Sequence, residues 1–282
     1  MLIVTDTASD ILQSEAEASD IIIIPLEIRF GTETFLYNTH ESLDHFYDLL
    51  VTLKDEFPTT SGPSPQTYLK LIDQARDAGE EILIITISSG LSGTYETACM
   101  AAEMSGYDKV RVVDSLSAII PQHVIVDAAV RMRDEGMSVD QAADELEELR
   151  TRVKVFGMPD SLTYLKRGGR IPASVAALGN LLNIKPIIAV ADGGGLECIA
   201  KARGRKAGKA LLWKHLEETK IDPEYPLYFG YSEAPDIVDE FIEETYERFG
   251  WQGRPYKMDQ INGAVGAHLG PHCIAISYVE AK

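Results

Sequence analysis

The chain has 282 residues, enough for one large domain or two modest ones, and its 45% hydrophobic and 25% charged content is ordinary for a globular protein. Its formal net charge of -18 argues against nucleic-acid binding over the whole surface and makes local basic clusters conspicuous. The cysteines, Cys99, Cys198 and Cys273, are widely spaced and form no CxxC pair, which indicates reduced thiols rather than a disulfide framework or a zinc knuckle.

The amino terminus predicts neither secretion nor membrane insertion. Residues Met1 to Asp6 contain no basic region and reach an acid at once, unlike a signal peptide. The longest apolar runs are far short of the ~20 residues that a transmembrane helix needs. We therefore expect a cytoplasmic protein without stable membrane insertion.

The first half of the chain alternates apolar strands with helices. Strands are predicted at 2–4, 21–24 (continued by 25–30), 82–87 and 110–113, and helices at 11–18, 42–53, 66–78, 95–104, 124–133 and 139–149. Ser42 and Ser64 are the predicted caps of the second and third helices. The segments between these strands are long enough for crossover connections. The pattern therefore favours a parallel sheet with helices on both faces, which is a three-layer α/β domain.

The stretch 57–65 is rich in proline and hydroxyl groups. Three prolines exclude a helix interior and a central strand, so an irregular segment is predicted. Its consecutive hydroxyl residues, Thr59, Thr60 and Ser61, exceed what a simple connector requires. A rigid connector and a ligand-facing loop remain equal alternatives.

A turn of small and hydroxyl-bearing residues, Ser88 to Thr94, joins the strand 82–87 to the helix 95–104. Ligands bind at this edge of an open α/β sheet, and unpaired amides at a helix start favour an anion. The alternative is a capped helix entry in which Ser92 or Thr94 bonds backbone amides and nothing else. This segment alone leaves the two interpretations open.

Motifs for other chemistries are missing or incomplete in the sequence. The Ser88–Thr94 turn is neither GxGxxG nor a Walker loop, and its glycines lack the spacing of a GxSxG elbow. Asp6, Asp10 and Asp114 follow strand ends and could meet at a metal, although helix capping explains them equally well. We expect no metal and no cofactor. Ser92 with His268 leaves a serine-dependent acyl hydrolase as the alternative function, without an acidic partner for the histidine.

The second half of the chain predicts a mixed-sheet α+β domain. Basic clusters occur at 166–170 and 201–206, and His268 lies among small residues in a predicted turn, where its ring would be accessible to an anion. Strands are predicted at 185–190, 196–200, 227–231, 256–258 and 274–278, and helices at 175–182, 211–216 and 237–249.

Several of these motifs stand in the order of a known family. They are Thr5 to Asp10, Pro58 to Ser64, Ser88 to Tyr95, Asp114-Ser115, Leu165 to Ile171, Asn183 to Ile187, Lys201 to Gly204 and His268 to Pro271. Over nearly its whole length the chain resembles the DegV family. The resemblance implies two α/β domains, 1–154 and 155–282, with the final strand able to pack across the boundary and a long-chain fatty acid between them. It also implies that the protein is not itself an enzyme. Such a protein presents its acyl chain to a fatty acid kinase, which forms an acyl phosphate for phospholipid synthesis.

The resemblance also implies roles for individual residues. Thr60, Ser61 and Ser92 match hydroxyls around the ligand carboxylate, and His268 matches a histidine beside the same head group. Arg170 and Arg203 match basic residues near the phosphate or the kinase surface. The acyl tail is expected in an apolar tunnel to which 175–182 and 187–190 contribute. A carrier for another amphipathic carboxylate, without a kinase, is a further alternative.

Three positions depart from the family pattern. Gly62 stands where glutamine is frequent, and 118–123 is bulkier than the usual small, glycine-containing run. His272 stands where glycine is usual. The first two lie near the expected head group or tunnel mouth and so bear on the acyl preference.

Overall fold

The computed structural model describes residues 1–36, 38–53, 56–171 and 183–282. The predicted helix over 175–182 lies outside these residues. Within them, no helix combines the length and apolarity needed to cross a membrane.

The elements follow one another in chain order. The strands are β1 (Leu2–Asp6), β2 (Ile21–Ile24), β3 (Glu27–Phe30), β4 (Glu33–Phe35), β5 (Thr59–Ser61), β6 (Ile82–Thr86), β7 (Val110–Asp114), β8 (Val153–Met158), β9 (Ile184–Val190), β10 (Leu196–Arg203), β11 (Leu227–Tyr231), β12 (Tyr256–Gln260) and β13 (Ile274–Val279). The helices are α1 (Gln13–Ala18), α2 (His40–Thr52), α3 (Pro65–Ala78), α4 (Thr94–Ser105), α5 (Ile120–Asp134), α6 (Val139–Arg152), α7 (Thr163–Arg167), α8 (Arg205–Glu217), α9 (Pro235–Phe249) and α10 (Gly263–Leu269).

The first sheet is parallel, with the strand order β2–β1–β6–β7. Every residue of β6 is buried, because helices cover both faces of the sheet. Val4 and Ile84 pack with α3 and α4 on one face. Leu83 and Ile85 pack in the larger core, to which α5 and α6 contribute, on the other. The predicted three-layer α/β arrangement is confirmed.

A small antiparallel sheet, β4–β3–β5, contradicts two predictions. The segment 25–30 does not continue β2, since the chain breaks at Pro25 and β3 joins the small sheet instead. Residues Thr59–Ser61 form a strand rather than irregular structure. They do so because β3 pairs with them. Pro58 and Pro63 only flank the strand, and the edge of the sheet tolerates their missing amides.

The second large sheet is mixed, with the order β10–β9–β8–β13–β11–β12. β11 and β12 run parallel, whereas the other neighbours are antiparallel. One face packs against α8 and α9 through Leu212, Phe229 and Phe241. Residues of the opposite face, such as Ile188 and Ala275, belong to the same core cluster as α5. This face therefore looks toward the first half of the chain.

Helix α10 occupies the predicted turn around His268, which makes that prediction wrong. Its glycines, Gly263 and Gly266, are poor helix formers, yet close packing requires them. A Cβ at Gly263 would lie 2.7 Å from Cδ1 of Ile28, and one at Gly266 would overlap the hydroxyl of Tyr47. The helix is thus pressed against β3 and α2 of the first half of the chain.

Two helix starts differ from the predicted caps in detail. α2 begins after Thr39, whose hydroxyl accepts a hydrogen bond from the Ser42 amide, so Ser42 is the residue that is capped. Ser64 occupies the cap position of α3 as predicted, but its hydroxyl lies 3.2 Å from that of Thr67 and does not bond a backbone amide of the helix.

Candidate functional site

A cavity with an empty volume of about 600 Å³, the head chamber, lies where β5, the Ser88–Thr94 turn and α10 meet. Five of the six predicted site residues line it, namely Thr60, Ser61, Ser92, Arg170 and His268. Its apolar walls are Leu26, Ile87, Leu91, Leu165, Leu196, Ala264, Val265 and Leu269. Residues from both halves of the chain therefore meet in one space.

Thr60 and His268 are hydrogen-bonded inside the head chamber, although 208 positions separate them in the chain. Thr60 is held because β5 pairs with β3, where it lies opposite Ile28. Its Oγ1 is 3.0 Å from Nε2 of His268. Ser61, the next residue of the strand, also lines the chamber.

The position of His268 follows from the anchoring of α10. The Asn262 side chain caps this helix by accepting from the Val265 amide, and it donates to Oδ1 of Asp10 at 2.7 Å. The hydroxyl of Tyr47 donates to the Ile261 carbonyl at 2.8 Å. Both contacts tie the start of the helix to the first half of the chain, so His268 reaches Thr60.

Gly168 forms the other wall of the histidine site. A Cβ at this glycine would overlap Nδ1 of His268 and lie 2.8 Å from Cε1. Within the described ranges, Nδ1 has no hydrogen-bond partner. Burial, together with the nearby Arg170 charge, lowers the pKa of His268 to about 4. The ring is therefore neutral at physiological pH and can act as a hydrogen-bond donor or acceptor.

This pKa predicts a pH dependence of stability for the ligand-free protein. The unfolded histidine, with a pKa near 6.5, takes up a proton before the folded one, so His268 lowers the free energy of unfolding as pH falls from about 6.5 to about 4. The change is on the order of 3 kcal/mol. Burial raises the pKa of Asp6 to about 6. Its carboxyl therefore takes up a proton in the folded state before the unfolded one, so Asp6 raises the free energy of unfolding as the pH falls.

The contribution of His268 to the free energy of unfolding can be separated from that of the other titratable groups. The measurement is urea unfolding of the wild type and of His268→Gln across this pH range. The wild type should lose stability relative to the variant as the pH falls. A constant difference between the two proteins would contradict the lowered pKa.

The Ser88–Thr94 turn is fixed from several sides. Oδ2 of Asp6 accepts from the Ile87 amide at 2.8 Å, and Oδ1 of Asp114 accepts from the Ser89 amide at 3.2 Å. The hydroxyls of Ser92 and Thr94 are 2.8 Å apart. The helix start at Gly93 has no side-chain cap, and the Ser92 and Thr94 hydroxyls bond each other rather than backbone amides, so the capping alternative is wrong. Ser92 lines the head chamber.

The hairpin turn between β9 and β10 packs directly on this turn. The Ser88 hydroxyl donates to the Gly194 carbonyl at 2.8 Å, and both residues are buried. A Cβ at Gly90 would lie 2.6 Å from the carbonyl carbon of Gly194 and 2.7 Å from the amide nitrogen of Gly195. The contact between the two turns thus requires glycine on both sides, a role that the sequence did not reveal.

The two predicted arginines occupy different places. Arg170 lines the head chamber, where its Nε donates to the Leu91 carbonyl at 3.3 Å and its Nη1 to the Gly168 carbonyl at 2.6 Å. Its side chain is exposed, so it presents charge at the chamber mouth. Arg203 ends β10, is exposed and does not line the chamber.

A second cavity of about 460 Å³, the tail chamber, adjoins the head chamber. The two share Leu91, Leu196, Val265 and Leu269 as walls. Ile188, Ala189 and Val190 of the predicted 187–190 line the tail chamber, whereas Ile187 packs in the core on the other face of the sheet. The remaining walls of the chamber are Ala118, Ile119, Val155, Gly157, Cys273 and Ala275. Leu91, Leu196 and Leu269 were not predicted as chamber walls, because apolar residues in a sequence are equally typical of an ordinary hydrophobic core.

Neither a Ser92–His268 catalytic pair nor a metal site forms among the residues that the structure describes. The partner of the Ser92 hydroxyl is Thr94 and that of His268 is Thr60, so no serine–histidine pair forms between them. Among the described residues, no cluster of three or more His, Cys, Asp or Glu side chains could hold a metal. Neutral donors beside an apolar chamber suit an amphipathic molecule with a carboxylate.

Comparisons with known proteins agree with this geometry. Residues 1–281 match a family model described as "Uncharacterised protein, DegV family". The DegV domain-containing protein YteA of Lactococcus lactis is 31% identical over 99% of this chain and 98% of its own length. Two solved structures, each 26% identical, cover 99% of this chain. They are a stearic-acid-binding protein from Eubacterium ventriosum (TM-score 0.82, 98% of that chain) and DegV, a fatty acid binding protein from Bacillus subtilis (TM-score 0.83, 99% of that chain).

Proposed function

This chain belongs to the DegV family, and we propose that it binds a long-chain fatty acid and presents the carboxylate to a fatty acid kinase. The carboxylate would lie among Thr60, Ser61, Ser92 and His268, with the acyl tail in the tail chamber. The protein would act in the cytoplasm as a substrate carrier and not as the catalyst. In this proposal residues 1–154 and 155–282 form the two domains around the ligand.

The observation that carries the proposal is the Thr60–His268 hydrogen bond inside a chamber that shares four wall residues with an apolar one. Hydroxyl and imidazole donors can bind a carboxylate without burying a compensating cation. A tail of ~15 methylenes at ~0.8 kcal/mol each supplies at most ~12 kcal/mol of binding free energy. The tail would therefore provide most of the affinity and the head group the orientation.

Presentation to a kinase needs the carboxylate near the surface. The exposed Arg170 marks the mouth of the head chamber, and the neighbouring Lys166 and Arg167 are exposed as well. Cations at this mouth can attract an acidic partner. They can also stabilise the negative charge of the acyl phosphate that forms when the carboxylate attacks the terminal phosphate of ATP and ADP leaves. Arg203, away from the chamber, would act on the partner surface.

Replacing Ser92 by alanine should weaken retention of the fatty acid about tenfold, because one hydrogen bond to a charged oxygen is lost. Ser89→Ala is the matched control, since Ser89 lies in the same turn but does not line either chamber. The measurement is organic extraction of the purified proteins followed by mass spectrometry, then titration of the delipidated proteins with stearic acid.

The outcomes separate binding from presentation. Stoichiometric fatty acid in the wild type, with Ser89→Ala unchanged and Ser92→Ala depleted, supports the proposed site. No bound acid and no uptake would overturn the binding proposal. Bound acid without acyl phosphate formation, when a bacterial fatty acid kinase and ATP are added, would leave binding intact and overturn presentation.

A further inference from the structure

His123 is a buried histidine of α5 that lines neither chamber. It ends the run 118–123, in which the chain departs from the family pattern. The preceding Gln122 faces the first sheet, where its Nε2 donates to Oγ1 of Thr5 at 3.1 Å. His123 faces the second large sheet instead, and its ring centroid lies 5.7 Å from that of Tyr228 on β11. The histidine therefore lies at the contact between the two halves of the chain.

Two carboxylates flank the His123 ring. Nδ1 lies 2.8 Å from Oδ2 of Asp259 on β12, and Nε2 lies 3.6 Å from Oδ1 of Asp127, one turn further along α5. Oδ2 of Asp127 in turn accepts from the Tyr228 hydroxyl and from Nζ of Lys257, each at 2.5 Å. Burial by itself would lower the pKa of His123, as would the charge of Lys257. The hydrogen bond and charge of Asp259, with the charge of Asp127, outweigh both and raise that pKa.

Asp259 connects this cluster to α10. Asn262, which caps α10, follows it by three positions, and the Asn262 amide and side chain both donate to Oδ1 of Asp10, at 2.8 and 2.7 Å. Asp10 is buried, and burial together with the charge of Asp259 raises its pKa well above the ordinary value. The charge of His123 acts on Asp10 in the opposite sense. A positive His123 therefore favours the arrangement that holds the start of α10 against the first half of the chain.

We propose that His123 is a positioning residue for the fatty acid carboxylate, acting through Asp259 on the start of α10 and so on His268. This inference rests on the proposed fatty acid binding and adds to it a dependence on the charge of a residue outside both chambers. A carboxylate bound by His268 requires the docked α10, which the His123–Asp259 ion pair stabilises. Because such coupling is reciprocal, a protonated His123 strengthens fatty acid binding, and bound fatty acid raises the pKa of His123.

The expected pH dependence follows from the direction of that pKa. His123 is charged below about pH 6.5, and its charge is lost as the pH rises through its raised pKa. Fatty acid affinity should therefore fall about tenfold between about pH 6.5 and about pH 9. A tenfold loss corresponds to a His123 pKa about one unit higher with fatty acid bound than without it.

The test measures the affinity of the delipidated wild type, His123→Gln and His215→Gln for stearic acid over this pH range. Glutamine has no charge to lose, whereas Asp10, Asp127, Lys257 and the ionisation of stearic acid itself are common to all three proteins. His215→Gln is the matched control. His215 also packs against an aromatic ring, that of Phe156 at 4.6 Å, but on the face of the second sheet that is turned away from α5.

A second measurement follows His123 directly. Its imidazole is titrated by NMR in the wild type, with and without stearic acid. This titration decides the question even where His123→Gln fails to fold, because it needs no substitution.

The inference predicts a loss of affinity of about tenfold in the wild type and in His215→Gln, a loss of less than about threefold in His123→Gln, and a higher His123 pKa with stearic acid bound. Parallel profiles in the wild type and His123→Gln, or an equal His123 pKa with and without ligand, would overturn it. His123 would then act in core stability alone. A wild type that binds no stearic acid at any pH would overturn the proposed function, and this inference with it.

Discussion

Substituting Gly168 by alanine should weaken fatty acid binding about 10- to 100-fold while leaving the fold intact. The added Cβ would overlap Nδ1 of His268 and force the ring away from Thr60. Losing one donor to a carboxylate costs about 1.5–3 kcal/mol, which corresponds to that range. Gly168 itself has φ -70° and ψ -11°, which alanine adopts without strain, so the substitution acts on the histidine and not on the backbone.

Titration of the delipidated protein with stearic acid measures the effect. Gly93→Ala is the matched control, because a Cβ there meets nothing within 4 Å although Gly93 adjoins Ser92. A double-mutant cycle with His268→Ala sharpens the result. If Gly168→Ala weakens binding equally in the His268→Ala background, its effect does not pass through the histidine.

Much of the architecture could be predicted from local sequence, because buried strands and amphipathic helices have their own patterns. The run 82–87 indicates a strand enclosed on both faces, and β6 is entirely buried. Predictions failed where the local structure depends on contacts with residues that are distant in the chain. Thr59–Ser61 forms a strand because β3 pairs with it, and Gly263–Leu269 is helical because Ile28 and Tyr47 pack against its glycines.

The candidate site was predictable in its residue types but not in its assembly. A hydroxyl-rich turn and a histidine among small residues indicate anion binding, and the cavity contains both. Arg170 and Arg203 lie in similar basic clusters of the sequence. Only the structure shows that Arg170 lines the head chamber and Arg203 does not. The Gly168-Gly169 pair indicates that the backbone approaches a ligand closely. That Gly168 instead makes room for His268 could not be predicted, because the histidine belongs to a helix about 100 residues further along the chain.

The departures from the family pattern have unequal consequences. The bulky run 118–123 was expected to influence the acyl preference, and Ala118 and Ile119 do line the tail chamber. The strain at Ile119, whose φ is 56°, could not be deduced from the sequence, because it depends on the backbone conformation that the chain adopts there. His272, where glycine is usual, also has a positive φ of 61°, and its Nδ1 lies 2.5 Å from Oε2 of Glu233.

Replacing Gly194 by alanine should lower the free energy of unfolding by about 3 kcal/mol. Three causes act together. Its φ of +75° disfavours any side chain, the new Cβ would overlap the Ser88 hydroxyl, and the buried Ser88–Gly194 hydrogen bond would be lost. Urea unfolding at neutral pH measures the change.

Gly193→Ala and Gly195→Ala are matched controls, since a Cβ at either position meets nothing within 4 Å. Both should remain within about 0.5 kcal/mol of the wild type. Adding Ser88→Ala to Gly194→Ala should recover the steric part of the loss and leave the conformational part, of about 1–2 kcal/mol. A Gly194→Ala protein as stable as Gly193→Ala would show that the two turns do not touch in solution.

The same contact connects stability to the proposed function. The Ser88–Thr94 turn contributes Leu91 and Ser92 to the head chamber, and the hairpin contributes Leu196. If the two turns separate, the carboxylate loses a hydroxyl and the tail loses two of its apolar walls. Gly194→Ala should therefore release fatty acid as well as lose stability, whereas Ser92→Ala should release it at unchanged stability. Retention of ligand by a destabilised Gly194→Ala protein would mean that the hairpin supports the fold without shaping the chamber.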